Sequence, residues 1–302
     1  MIVGGKPPNI TFVAKPALHR HAARPHSFMT LRNIRLKLAY DGTNYVGWQV
    51  QKNGLSIQTV VERAIEKLTQ EKCPVLSAGR TDSGVHALGQ VANFHTSCAI
   101  PAGNFRPALQ AFLPSDIVVL ESSEAPPEFH ATFKATRKQY RYLIDNSPVP
   151  LPFLNQHTWS LRRELDAVAM HEAAQLLVGK HDFRSFETDW PNKVTSVRTV
   201  FQITVARQPL WQIFTGTNGG GLPFSSVSSR GQKTEGEIIT VDIVADGFLY
   251  NMVRSIVGTL VNVGRQKWDK QEVARILQAQ NRSIAGSTAP AGGLFLVEVW
   301  YA

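Results

Sequence analysis

Between Asn33 and Tyr40 apolar and polar side chains alternate, with Ile34, Leu36, Leu38 and Tyr40 set against Asn33, Arg35, Lys37 and Ala39. A period of two sends successive side chains to opposite faces, which predicts a strand with one apolar and one basic face. The period changes after Ser56. Ile57, Val60, Val61, Ala64, Ile65 and Leu68 fall on one helical stripe, Glu62, Arg63, Glu66 and Lys67 lie outside it, and Ser56 is placed as the N-cap. Pro74 ends that helix, and Val75-Leu76 reads as a short buried strand. Gln90 to His95 reads as a returning strand, Phe105 to Leu113 as a second, shorter helix stopped by Pro114, and Ile117 to Leu120 as another buried strand.

Further along, Tyr140 and Tyr142 alternate with Arg137, Gln139 and Arg141, so a strand there would carry both rings on one face and the basic groups on the other. Asn146 to Pro152 is proline-rich and marks a boundary. Beyond it, Leu165, Val168, Ala169, Leu176 and Leu177 predict a helix whose end runs into His181 and Asp182, read as a helix-end cap and loop contacts. Val197 to Val205 and Ile239 to Ile243 alternate as strands. A helix from Leu249 would place Met252, Val253, Ile256, Val257 and Leu260 on its apolar face, with Asn251, Arg254, Ser255 and Gly258 opposite. A short helix over Val273 to Leu277 and an alternating tail at Leu296, Glu298 and Trp300 close the chain. Strands interleaved with helices predict an α+β fold. The expected divisions are a basic N-terminal extension at 1–30, an N-terminal half at 31–146 and a C-terminal half at 147–302 interrupted by a glycine-rich hairpin insertion at 215–236.

Composition narrows the function. Apolar content of 43% and charged content of 18% suit a globular protein, while no apolar run is long enough to span a membrane. A net charge of +9 points to a polyanionic partner, since clustered cations release counterions when they meet phosphates. Charge does not choose among RNA, DNA and anionic lipid. Only Cys73 and Cys98 occur, too far apart for a paired-thiol metal motif, and both read as buried apolar side chains. Residues 1–30, basic and without an acid, read as a disordered tail, with organellar import as the alternative.

The candidate chemistry gathers in Ala78-Gly79-Arg80-Thr81-Asp82-Ser83-Gly84-Val85-His86-Ala87. Glycines on both sides of Asp82 allow a tight turn that presents one carboxylate, and an adjacent guanidinium favours its ionised form and offers donors to phosphate. The residues alone allow two readings: an exposed nucleophile, or a turn aspartate that caps backbone amides. Trp48 likewise reads as a base-stacking ring or a core plug, and Arg254 as the partner of an anion or an exposed flank residue. A zinc deaminase would need His-x-Glu with Cys-x-x-Cys, which is absent.

Gly79-Arg80-Thr81-Asp82 with Gly84-Val85-His86-Ala87 resembles the signature of the TruA family of tRNA pseudouridine synthases, as do Tyr40-Asp41-Gly42-Thr43, Gly47-Trp48-Gln49, the Arg137 to Tyr142 run and Met252-Val253-Arg254. Thr132, Lys134, Tyr250-Asn251 and Ser255 depart from the family's usual residues. The resemblance implies two ferredoxin-like halves with mainly antiparallel sheets flanked by helices, the pseudouridine synthase fold, and an active-site cleft between them. It implies isomerisation of uridine to pseudouridine at positions 38 to 40 of the tRNA anticodon stem-loop, without cofactor or metal, by a cytoplasmic homodimer. The implied catalytic residues are Asp82, Arg254 and Tyr140; the candidate RNA contacts are Arg80, Arg35, Lys37, Arg137, Arg141 and His86. A noncatalytic RNA-binding protein is the competing reading.

Overall fold

The computed structural model describes residues 31–188, 195–209 and 237–302; the N-terminal extension and the glycine-rich insertion lie outside them. Residues 31–302 form one compact unit. Among the described residues ten strands make a single sheet. They are β1 (Arg32–Tyr40), β2 (Leu76–Ser77), β3 (His86–Thr96), β4 (Ile117–Ala125), β5 (Ala135–Asp145), β6 (Trp159–Ser160), β7 (Gly179–Asp182), β8 (Val197–Gln208), β9 (Ile238–Ala245) and β10 (Leu294–Tyr301). The order is β4-β1-β3-β10-β5-β9-β8-β7, with β2 beside β3 and β6 beside β5. Most neighbours are antiparallel; β10 runs parallel to β3, and β6 to β5. The last strand of the chain is thus seated between two strands of the first half.

Alternation in the sequence becomes a two-sided sheet. Ile34, Leu36 and Leu38 are fully buried, and Tyr40 nearly so. The registers join Tyr40 to Ala87, Ala87 to Leu296, Leu296 to Tyr140, Tyr140 to Ile243 and Ile243 to Ile203, a continuous row across six strands. Tyr140 therefore stands in the middle of the sheet, on the face that carries the core. Arg35, Lys37, Arg137 and Arg141 alternate with core-facing positions and lie on the other face.

Helix α1 (Ile57–Thr69) begins at Ser56, whose hydroxyl accepts from the Thr59 amide, and buries Ile57, Val61, Ala64 and Ile65. Each such aliphatic side chain removed from water contributes roughly 1.5–3 kcal/mol. Helix α2 (Phe105–Gln110) sits against α1 and β4, and α3 (Ala167–Ala174) packs on β8. Helix α4 (Met252–Gly264) starts three residues later than the apolar pattern alone suggests, because Leu249 caps a turn and Asn251 adopts a left-handed backbone at φ 61°. It is also buried nearly all round rather than two-faced: Ser255, Gly258 and Thr259 are buried with the apolar residues. The reason lies at Gly258, where a Cβ would fall 1.7 Å from the Ser287 carbonyl oxygen, so the backbone of the 285–289 segment lies directly on the helix. Helix α5 (Lys270–Ala279) starts at Asp269, which caps Glu272, and packs against α3 and α4.

Two readings change at this level and one is resolved. His181 and Asp182 are strand residues of β7 paired with Arg198 and Val197, not a helix-end cap; the strand is set by pairing along β8, which local periodicity does not report. Trp48 is 2% exposed and plugs the core. Cys98 is half-buried rather than buried like Cys73, and neither forms a disulfide.

Candidate active site

Asp82 lies in the loop between β2 and β3. Two contacts from the first strand and the turn after it fix that loop. The buried Tyr40 hydroxyl, pushed up to about 12 by burial against the bonds it makes to Thr81 and Gln90, lies 2.8 Å from the Thr81 hydroxyl. The Trp48 amide donates to the Thr81 carbonyl at 3.0 Å. Gly47, at φ 103°, lets the chain pass so close that a Cβ there would meet the Thr81 carbonyl at 2.5 Å. Gly84, at φ 75°, closes the turn, with the Val85 amide donating to the Asp82 carbonyl.

The carboxylate meets a guanidinium from the other end of the chain. Arg254, in the first turn of α4, approaches Asp82 Oδ2 through Nη1 at 3.6 Å. Its orientation is fixed elsewhere: Nε donates to the Ala289 carbonyl at 2.7 Å and Nη1 to Asn251 Oδ1 at 2.8 Å. Asn251 is itself held through Thr188. Burial pushes the Asp82 carboxyl above the ordinary range, and Arg254 opposes that by its charge and hydrogen bond. Arg254 is the charged partner found for this carboxylate, so the capping reading of Asp82 is not what the geometry shows.

Tyr140 projects from β5 into the same pocket, 8% exposed, with its ring edge-on to Phe248 at 5.0 Å between centroids. Burial drives its hydroxyl well above the ordinary phenol range, with the charges of Tyr40 and Asp82 acting the same way. Asp82, Arg254, Tyr140 and the exposed Arg80 line one pocket of about 1300 Å³, which is large enough for a nucleotide. Its walls also carry Lys138, Arg198, Phe248 and Tyr250.

The other candidates lie elsewhere. Arg35 sits over the rings of Tyr301 and Phe129, and Lys37 lies 3.7 Å from Glu121. Arg137 sits 4.6 Å over the Phe201 ring, and Arg141 is bonded to Asp242 at 2.9 Å. The structure does not bring these four into the pocket, since period two turns them to the opposite face of the sheet. His86 is not at the pocket either. It is 1% exposed, stacked on Phe295, and engaged with Asp41, Gly42, Gln156 and Gly292. That leaves no ring atom to offer to RNA, and a loop-side histidine four residues from Asp82 becomes a core tie.

Sequence reasoning passed over Lys138, hidden between the more conspicuous Arg137 and Tyr140; its spacing of two from Tyr140 carried the signal that both face the pocket. Arg198 had no signal in its own segment, because only the pairing of β8 with β7 and β9 brings it to the pocket wall. Tyr40 was read as a core ring, and its hold on Thr81 depends on a contact 41 residues away. Asn251, the residue that precedes α4 and lies three before Arg254, was legible as a partner by spacing.

A helix-flanked, mostly antiparallel sheet carries at its middle a nucleotide-sized pocket in which the Asp82 carboxylate, a guanidinium from a distant segment and a buried tyrosine meet. Comparison with known proteins agrees. The family described as tRNA pseudouridine synthase matches residues 38–134 and 173–302. The chain is 45% identical to tRNA pseudouridine synthase A of Acetivibrio thermocellus over 90% of this chain and 100% of that one. It is 40% identical to the enzyme of that name from Thermoanaerobacter pseudethanolicus, over the same shares, and 42% identical to that of Moorella thermoacetica over 89% of this chain and 99% of that one. This chain belongs to the tRNA pseudouridine synthase family.

Proposed function

We propose that the protein isomerises uridine to pseudouridine at positions 38 to 40 in the anticodon stem-loop of tRNA, with Asp82 as the essential carboxylate. The observation that carries this reading is the 3.6 Å approach of Arg254 to Asp82 in a pocket shared with Tyr140. Breaking the N-glycosidic bond develops positive charge on the sugar, and a carboxylate beside it can attack or stabilise that centre, as in glycoside hydrolysis, or add to the base. Arg254 favours the ionised form of Asp82 against its burial. Tyr140 and Phe248 supply an aromatic corner against which an extruded base can stack, and the exposed Arg80 of the same pocket would occupy the gap the base leaves. The net charge of +9 supports a large RNA partner. The family resemblance supports action as a homodimer in the cytoplasm; among the described residues no helix is long and apolar enough to cross a membrane.

The deciding experiment incubates purified protein with an anticodon stem-loop transcript and measures pseudouridine. Wild type should form it at positions 38 to 40, and Asp82→Asn should form none while still binding the RNA. Normal conversion by Asp82→Asn would remove the assignment. RNA binding without any conversion by wild type would favour the noncatalytic reading.

A further inference from the structure

The pocket holds charged groups that the proposed reaction does not use, Lys138 and Arg198 among them. Lys138 projects from β5 two residues from Tyr140, on the same face, and lines the pocket. Its ammonium lies against the loop that carries Asp82: a Cβ on Gly79 would come within 3.3 Å of Nζ. Gly79 does not have a positive φ, so its contribution here is room for this lysine rather than backbone freedom. No hydrogen bond or ion pair reaches Lys138 among the described residues. Burial pushes its ammonium down from the ordinary lysine range, and the neighbouring Arg198 guanidinium pushes the same way.

Arg198 comes from β8 on the pocket's far wall. Its Nη1 donates to the Thr195 and Val197 carbonyls at 2.9 and 2.7 Å, which aims the side chain while leaving Nη2 without a partner among the described residues. Two cations that line one pocket and repel each other, one of them poorly hydrated, raise the free energy of the unliganded protein. An anion between them reverses the sign of both effects, and a lysine with an arginine offers a point charge and a fork to phosphate oxygens. Two residues along a strand span roughly 6–7 Å, a length that a ribose can bridge between a base at Tyr140 and its backbone.

We propose that Lys138 and Arg198 form a subsite for the RNA phosphate that flanks the extruded uridine. The subsite rests on the RNA-modifying reading above and deepens it: the base is held at Tyr140 and its backbone is clamped at Lys138, so that the sugar between them is presented to Asp82.

The test is binding, independent of turnover. An anticodon stem-loop RNA, and two copies with a single uncharged methylphosphonate 5′ or 3′ of the target uridine, are titrated against wild type, Lys138→Met, Lys138→Arg and Arg198→Gln at several salt concentrations. Lys138→Met and Arg198→Gln should each weaken the unmodified RNA about tenfold and reduce the slope of log K against log salt by about 0.7–0.9. Lys138→Arg should restore most of the affinity. On one of the two methylphosphonate RNAs the cost of Lys138→Met should disappear. Equal weakening of all three RNAs, or unchanged affinity, overturns the subsite. So does a failure of Lys138→Arg to rescue at an unchanged unfolding midpoint. If wild type shows the full binding pattern but forms no pseudouridine, the function fails and the phosphate subsite stands; pseudouridine formation without the pattern has the reverse meaning.

Discussion

Replacing Arg254 with Gln removes the charge that keeps Asp82 ionised. At 3.6 Å, and with an effective dielectric of about 20, the attraction is between about 4 and 5 kcal/mol. The side chains are 18% and 28% exposed, so water screens part of it. Fully buried pairs lose about 3–5 kcal/mol when one partner is removed and exposed pairs under about 1, so this pair should lose about 2–3. Divided by 1.36 kcal/mol per decade, that is roughly 30- to 150-fold. The sign follows from the causes. Burial already raises the Asp82 carboxyl and Arg254 alone opposes it, so its removal raises the carboxyl further. The loss should therefore be largest on the acid side of the pH–rate profile and should shrink as pH rises, because the variant's Asp82 regains its charge. Single-turnover pseudouridine formation on a stem-loop transcript, measured from pH 5.5 to 9, reads this directly. A deficit that is the same at every pH would mean that Arg254 acts by positioning alone, and no deficit would remove the ion pair from the mechanism.

Tyr140→Phe keeps the ring at Phe248 and removes a hydroxyl that has no hydrogen bond among the described residues, so stability should hold. If the hydroxyl moves a proton, turnover falls by about 10²-fold or more with RNA affinity unchanged; unchanged turnover confines Tyr140 to stacking. Gly258→Ala would drive a methyl into the Ser287 carbonyl and should cost about 2–3 kcal/mol in chemical denaturation; a loss under about half that would show that the 285–289 segment yields. Asp41 is pushed up by burial but held down to about 2 by Thr43, His157 and His86. Such a group contributes stability that is present above its unfolded value and lost as pH falls through the folded one. Discounted for a side chain 37% exposed, Asp41→Asn should cost about 1–2 kcal/mol at pH 7. The gap should close between roughly pH 4 and pH 2; a gap that persists there would assign the loss to packing.

The order of side chains by itself determined most of the longer strands and helices, because a period of two or 3.6 sorts apolar groups onto one face before any distant contact exists. Ile34 to Tyr40, Ile57 to Leu68 and Leu296 to Trp300 were legible for that reason. The motif around Asp82 was legible as well, since glycine spacing and residue type are local. The tertiary structure decided everything that depends on pairing between distant strands. It seated the C-terminal strand between β3 and β5, turned Arg35, Lys37, Arg137 and Arg141 away from the pocket, sank His86 into the core, and brought Arg254 to Asp82 and Arg198 to Lys138. Periodicity tells which residues share a face; only the register of the sheet tells what that face meets.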